Sequence, residues 1–363
     1  MLNPHPLPQW LPPSPKGRRN PPKEFLKREE PSPFGRGRGL NGWRVRVFVF
    51  FAIFSFFLAT IVFAKIDLFV EPAAGRKPIL DAINSASHSI RLECYMLTDF
   101  NISHALRKAA KRGLDVRVIL DAAPGGDKRL ADNSLAKLSS AGVRVRTGNP
   151  DFPFTHEKAL VIDNEKAFIM TLNLSKAAFG KNREFGVITD YSDDVMAIKE
   201  IFESDWDRSD VRVGDNYLVY SPGNARTKIL SLIDSAAKKL EIYNEELQDK
   251  EIEEHLLGAI KRGCEVRLIL PPLKGKNDPN MTGEERLLAG GVKINVLNKP
   301  YVHAKMILAD GRQAFVGSQN FSATSLDRNR ELGILVDSSS AIKTLGETFT
   351  TDWQKSQPLA VAR

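Results

Sequence analysis

From residue 66 onward, short hydrophobic runs alternate with helical stripes. DVRVILD (115–121), RVRTG (144–148), HEKALVID (156–163), AFIMTLN (167–173) and EFGVITD (184–190) are brief and rich in β-branched residues, as buried strands are. SHALRKAAKRG (103–113) and DNSLAKLSSAG (132–142) carry apolar residues at helical spacing and end on Gly. The pattern predicts an α/β fold. Side chains alternate across a strand, so His156, Lys158 and Leu160 share one face, with Glu157, Ala159 and Val161 on the other.

The pattern then repeats. KAAKRGLDVRVILD (108–121) parallels GAIKRGCEVRLILP (258–271), and SIRLECYMLTDF (89–100) parallels KLEIYNEELQDK (239–250), both at an offset of 150. FTHEKALVIDNEKAFIMTLNLS (154–175) parallels YVHAKMILADGRQAFVGSQNFS (301–322) at an offset of 147, as KNREFGVITD (181–190) parallels RNRELGILVD (328–337). A period this long is duplication of a whole domain, not a solenoid. The expected halves are 66–212 and 213–363, packed about a pseudo-two-fold axis like an isologous dimer within one chain.

The chain before Lys65 follows neither pattern. Residues 1–46 hold ten of the 21 Pro, and with ten Lys/Arg against three Glu they carry +7 of the net +8. Such a segment cannot bury enough apolar surface to offset its ordering entropy, so a disordered tail is expected. Val47 to Ala64 is an uncharged, Phe-rich stretch, long enough for a short membrane span. With Arg36, Arg38, Arg44 and Arg46 before it, the expectation is a single N-terminal anchor with everything after Lys65 outside the cytoplasm, or a cleaved export signal. The rest of the chain is nearly neutral, which argues against a broad nucleic-acid-binding face. Two Cys, Cys94 and Cys264, are too few for a disulfide scaffold and read as buried apolar residues. Asp205-Trp206 and Asp352-Trp353 read as a repeated packing device.

The chain has only six His, yet two stand at equivalent places, each followed at the next position but one by a Lys. His156-x-Lys158-x4-Asp163 and His303-x-Lys305-x4-Asp310 resemble the paired HxKxxxxD motifs of the phospholipase D superfamily. Asn173 and Asn320 follow their His at the same spacing, and so do Glu184 and Glu331 further on. The resemblance covers roughly 66–360. It implies two tandem phospholipase D-like domains, each a mixed β-sheet flanked by helices. It also implies a phosphodiesterase acting through a phosphohistidine, with no metal or other cofactor.

Chemistry suits these residues to that task. Lys158 and Lys305 supply fixed positive charge to a phosphoryl group, and Asn173, Asn320, Ser175 and Ser322 offer hydrogen bonds. One imidazole attacks phosphorus while the other, protonated, delivers a proton to the leaving alcohol. The resemblance makes His156 the nucleophile and His303 the general acid. It pairs His156 with Glu331 and His303 with Glu184, each carboxylate reaching across from the other half. Asp163 and Asp310 complete the motif and are counted with the catalytic set, although strand ends suit a supporting role better. The first half departs from the family pattern: Met170 stands where Gly317 would let backbone approach phosphate.

The expected substrate is a membrane phospholipid, with hydrolysis ranked ahead of phosphatidyl transfer and no obligate protein partner. A metal-independent nuclease is the alternative, and the only reading under which nucleic acid is a partner. Against it, the stretch from Pro271 to Asn280 offers only Lys274 and Lys276. A cardiolipin synthase-like transferase ranks lower, because those enzymes usually carry two membrane helices and a longer chain.

Overall fold

The amphipathic stripes and β-branched runs become two copies of one α/β layout in a computed structural model. It describes residues 65–359 except 212, 215, 216 and 276. The first half runs β1 (Ile66–Glu71), α1 (Lys77–Ser85), β2 (Ser89–Cys94), α2 (Phe100–Lys111), β3 (Asp115–Leu120), a 3-10 turn (Pro124–Gly126), α3 (Lys128–Ser139), β4 (Arg144–Thr147), β5 (Lys158–Ile162), β6 (Lys166–Met170), α4 (Lys176–Gly180), β7 (Asn182–Thr189) and α5 (Ser192–Asp207). The second runs β8 (Leu218–Ser221), α6 (Ala225–Ser235), β9 (Lys239–Tyr243), α7 (Lys250–Lys261), β10 (Glu265–Leu270), α8 (Met281–Ala289), β11 (Lys293–Val296), β12 (Tyr301–Val302), β13 (Met306–Ala309), β14 (Gln313–Gly317), α9 (Ala323–Asp327), β15 (Glu331–Val336), α10 (Ser339–Lys355) and β16 (Gln357–Pro358).

Each half builds a mixed sheet. The first has the order β1-β7-β6-β5-β2-β3-β4, the second β16-β11-β10-β9-β13-β14-β15-β8. In both, three strands joined by helical crossovers are parallel and the other strands of the same half are antiparallel. The αβ crossovers begin on side-chain caps. Asp99 accepts from the N–H groups of Asn101 and Ile102 at the start of α2, and Asp249 accepts from that of Ile252 at the start of α7.

Strand alternation divides the core as expected. Ala159, Val161, Ile169 and Val187 join Met306, Leu308, Val316 and Ile334 in one cluster between the sheets, flanked by Ile198 and Ile201 of α5 and Leu345 and Phe349 of α10. Leu160 and Phe168 face the other way, onto α1 and α2, and Ile307 and Phe315 face α6 and α7. The result is four layers, helix–sheet–sheet–helix, with both halves in one compact unit. Cys94 and Cys264 are buried free thiols. One exchange crosses the halves: β12 of the second pairs in parallel with β7 of the first, Tyr301 to Asn182 and Val302 to Arg183. Its counterpart is a bridge between Thr155 and Arg330. The segment before each HxK motif is thus stitched to the opposite half.

The expectation of an N-terminal membrane anchor is corrected. No helix among the described residues is long and apolar enough to cross a membrane, and 47–64 lie outside them, as does the tail 1–46. The structure therefore supports neither a span nor a side of the membrane.

Candidate active site

The cross-half stitching brings the two HxK motifs together. The His156 N–H donates to the Arg330 carbonyl at 2.8 Å, and the His303 N–H to that of Arg183 at 3.3 Å. Each ring then meets the carboxylate that follows that arginine. His156 Nδ1 is 2.8 Å from Glu331 Oε2. His303 Nδ1 is 2.8 Å from Glu184 Oε1, at ion-pair distance but not aligned as a hydrogen bond. Both imidazoles are mostly covered, with 14% and 13% of their side chains exposed. With Nδ1 facing a carboxylate, Nε2 is the nitrogen left for chemistry on each ring.

The carboxylates are themselves held. Glu184 accepts from Thr171 Oγ1 at 2.6 Å and Asn182 Nδ2 at 3.2 Å. Glu331 accepts from Ser325 Oγ at 2.6 Å and Asn329 Nδ2 at 3.2 Å. Burial alone would raise both carboxyls. The facing imidazole and lysine ammonium outweigh it and hold both below the ordinary carboxylate range. Lys158 and Lys305 are fully buried, and each Nζ donates to the carbonyl of its own motif histidine. Burial pushes Lys158 down to about 7 and His156 down to about 4, so His156 is a neutral imidazole at neutral pH.

The remaining expected residues divide. The Asn173 and Asn320 side-chain oxygens are buried without a partner, so neither is committed to the fold through its oxygen. Ser322 bonds Glu246, while Ser175 Oγ accepts from the Ala178 N–H as the cap of α4. Asp163 and Asp310 are not brought to the imidazoles, which corrects their place in the catalytic set. Asp163 lies past the far end of β5 from Lys158, about 16 Å away at strand rise. It accepts the N–H groups of Ser87, His88 and Ser89, each at 2.7 Å. Asp310 accepts those of Ala237, Lys238 and Lys239 at 2.8–3.0 Å. They fix the entries to β2 and β9.

Gly317 also has a different job from the one expected. A Cβ there would meet Gln319 Oε1 at 2.5 Å and the Cα of its cross-strand partner Gly333 at 2.6 Å. The glycine makes room for the buried Gln319 amide, which donates to the Val219 carbonyl. In the first half, Met170 and Leu172 fill the equivalent space with hydrocarbon. The asymmetry is one of packing.

Sequence reading missed several residues. Asp205 and Asp352 are cross-half clamps more than packing devices. Arg330, next to Glu331, pairs with Asp205 at 2.8 Å, and Arg183, next to Glu184, pairs with Asp352 at 2.6 Å. The signal was present in the Arg-Glu dipeptide common to KNREFGVITD and RNRELGILVD. Where the second half sets Tyr243 against Asp352, the first sets Glu93 and Glu157 beside Asp205, three buried carboxylates within 4.8 Å of one another. Burial raises all three, and their mutual repulsion raises Glu93 and Glu157 further. Finally, Tyr95 lies edge-on to His156 with ring centroids 4.9 Å apart, and its repeat counterpart Glu245 lies beside His303 and Lys305.

Comparison with known proteins supports the family and the fold. The family described as cardiolipin synthase, PLD-like domain, matches residues 79–206 and again 229–353. The minor cardiolipin synthase ClsB of Bacillus subtilis is 26% identical over 322 residues, covering 78% of this chain and 80% of that protein. The probable cardiolipin synthase YwiE of the same organism is 26% identical over 327 residues, covering 78% of this chain and 64% of that one. Among solved structures, the polyphosphate kinase of Porphyromonas gingivalis superposes with a TM-score of 0.63 at 17% identity, over 80% of this chain and 50% of the kinase. The phosphatidylserine synthase of Haemophilus influenzae does so at 0.60 and 13% identity, over 81% and 87%. At these identities the superpositions speak for the fold alone.

Proposed function

The chain belongs to the phospholipase D superfamily, and from that premise we propose that it is a phosphatidyltransferase of the cardiolipin-synthase kind. The carrying observation is the crossed pair of imidazole–carboxylate contacts, His156 with Glu331 and His303 with Glu184, above two buried lysines. The cardiolipin synthases among its relatives favour transfer over the hydrolysis that the sequence alone put first.

In the proposed reaction, His156 Nε2 forms a bond to phosphorus as the bond to the leaving alcohol breaks. His303 gives its proton to the departing oxygen. An acceptor alcohol then yields its proton to His303, its oxygen bonds phosphorus, and the phosphorus–nitrogen bond breaks, restoring His156. Neutral His156 suits attack, since a protonated ring has no lone pair to offer. Lys158 and Lys305, with the Asn173 and Asn320 amides, stabilise charge on the phosphoryl oxygens. Glu331 and Glu184 orient the two rings and support imidazolium when it forms.

The test is incubation of the full chain with phosphatidylglycerol vesicles. Cardiolipin is two phosphatidyl groups on one glycerol, so transfer between two phosphatidylglycerols yields cardiolipin and free glycerol. We expect both products in equal amounts, and neither from His156→Ala. Phosphatidic acid without cardiolipin would make the protein a hydrolase. Untouched lipid beside cut single-stranded DNA would make it a nuclease.

A further inference from the structure

The two halves differ in charge at one pair of equivalent positions beside the imidazoles, Tyr95 and Glu245. Beside His156 and Lys158 the first half sets the uncharged ring of Tyr95, 5.4 Å from Lys158 Nζ. Beside His303 and Lys305 the second half sets the carboxylate of Glu245. A single oxygen, Oε2, lies 3.3 Å from Lys305 Nζ and 3.4 Å from His303 Nε2. Those are the ammonium that must hold a phosphoryl oxygen and the ring nitrogen that must meet the leaving oxygen. An anionic oxygen shared between them stands where substrate oxygen has to come, and two anions cannot both occupy it.

The other oxygen points outward. Oε1 accepts from the Tyr301 hydroxyl at 3.2 Å and lies 3.6 Å from Lys274 Nζ. Glu245 and Lys274 line a cavity of about 420 Å³ together with Gln248, Asn277 and Asp278. The Lys274 side chain is 70% exposed, so it has freedom to follow a moving partner. Glu245 thus has cations on both sides and room on the outer one.

We propose that Glu245 is a positioning residue that fills the phosphate seat of the empty site. It holds Lys305 and His303 in register, and an arriving phosphodiester displaces its carboxylate outward to Lys274. The phosphodiester prevails because it also engages Lys158 and the asparagine amides, which a lone carboxylate oxygen does not reach. This inference rests on the phosphoryl chemistry of the proposed function but not on which alcohol is transferred.

Inorganic phosphate is the probe, because its binding needs no lipid turnover. Calorimetric titration of the full chain would compare wild type, Glu245→Gln, Lys274→Met and the double variant, with melting checked for each. Glu245→Gln removes the competing charge, so phosphate should bind about tenfold more tightly, a change of ~1.4 kcal/mol. On phosphatidylglycerol vesicles its KM should fall without a rise in kcat. Lys274→Met removes the outward partner and should weaken phosphate by about threefold, an effect that disappears in the Glu245→Gln background. A merely structural Glu245 would give the opposite: unchanged or weaker phosphate binding in a folded Glu245→Gln protein. If the Lys274 effect persists in the double variant, Lys274 attracts phosphate directly and the displacement is wrong. Should Glu245→Gln not fold, undiminished phosphate binding by Lys274→Met would overturn the proposal by itself. Failure of cardiolipin synthesis alone would leave these titrations readable, so the two readings fail separately.

Discussion

His156 and His303 are the same residue in the same motif, and their neighbours make them different. His156 is buried against a tyrosine ring and has one carboxylate, while His303 has Glu184 on one nitrogen and Glu245 near the other. The low value of His156 means that it stays neutral, and competent to attack, as pH falls to about 4. Lys158, pushed down by burial, gives up its proton above about 7 and with it the charge proposed to hold phosphate. The expected profile of kcat/KM is a bell with an acid limb near 4 and a basic limb near 7. Bound phosphodiester favours the Lys158 ammonium, so the basic limb of kcat should lie higher. Lys158→Arg, which cannot deprotonate, should move the basic limb of kcat/KM upward even if activity drops about tenfold from altered geometry. A basic limb that stays in place would assign it to another group. The HxK pairs were legible in sequence because the same spacing recurs in both halves, but the expected alternation along one strand does not hold: His156 precedes β5, and His303 and Lys305 lie in the link between β12 and β13. Glu245 was not legible, because its partners Lys274, Tyr301, His303 and Lys305 are remote from it along the chain and only the folded sheet gathers them.

At the level of elements, an Arg-Glu pair stands within β7 and another at the entry to β15, and the two side chains of each serve opposite ends of one task. The glutamate reaches the imidazole of the other half, and the arginine is gripped by the last turns of a long helix, α5 or α10. Repetition made the strands and helices readable, since most elements had a second copy to check them against. It hid what differs: Glu157 stands opposite Ala304, and Glu93 opposite Tyr243. The Glu93–Glu157–Asp205 cluster crowds three carboxylates around Arg330. Burial raises Glu157 to about 8, so the folded chain keeps a proton that the unfolded chain releases at the ordinary carboxyl value near 4.5. The stabilisation is complete below that ordinary value and is lost as pH rises through about 8. Urea midpoints should therefore fall between pH 5 and 8, by on the order of 1–3 kcal/mol in stability. Glu157→Gln, which carries no proton to lose, should flatten that dependence and be the more stable protein at pH 8. An unaltered slope in the variant would mean that Glu157 is ionised in the folded state.

For the whole molecule, duplication explains why the site exists at all. Each motif histidine takes the carboxylate at its Nδ1 from the other half, and the segments before the two HxK motifs cross over to the opposite half. The four-layer arrangement buries the sheet faces against each other and sets both motifs at that seam. The central claim is that His156 carries the phosphatidyl group while His303 handles protons. The most direct measurement uses phosphatidyl-p-nitrophenol, whose leaving group departs without a proton donor. Mixed with the His303→Ala chain, it should give one equivalent of nitrophenolate and then stall, because no base remains to activate the acceptor. Mass spectrometry of the quenched protein should find the phosphatidyl group on the His156 peptide. A burst and adduct from His156→Ala instead, carried on His303, would reverse the roles; steady nitrophenolate release with no adduct in any variant would contradict a phosphohistidine altogether.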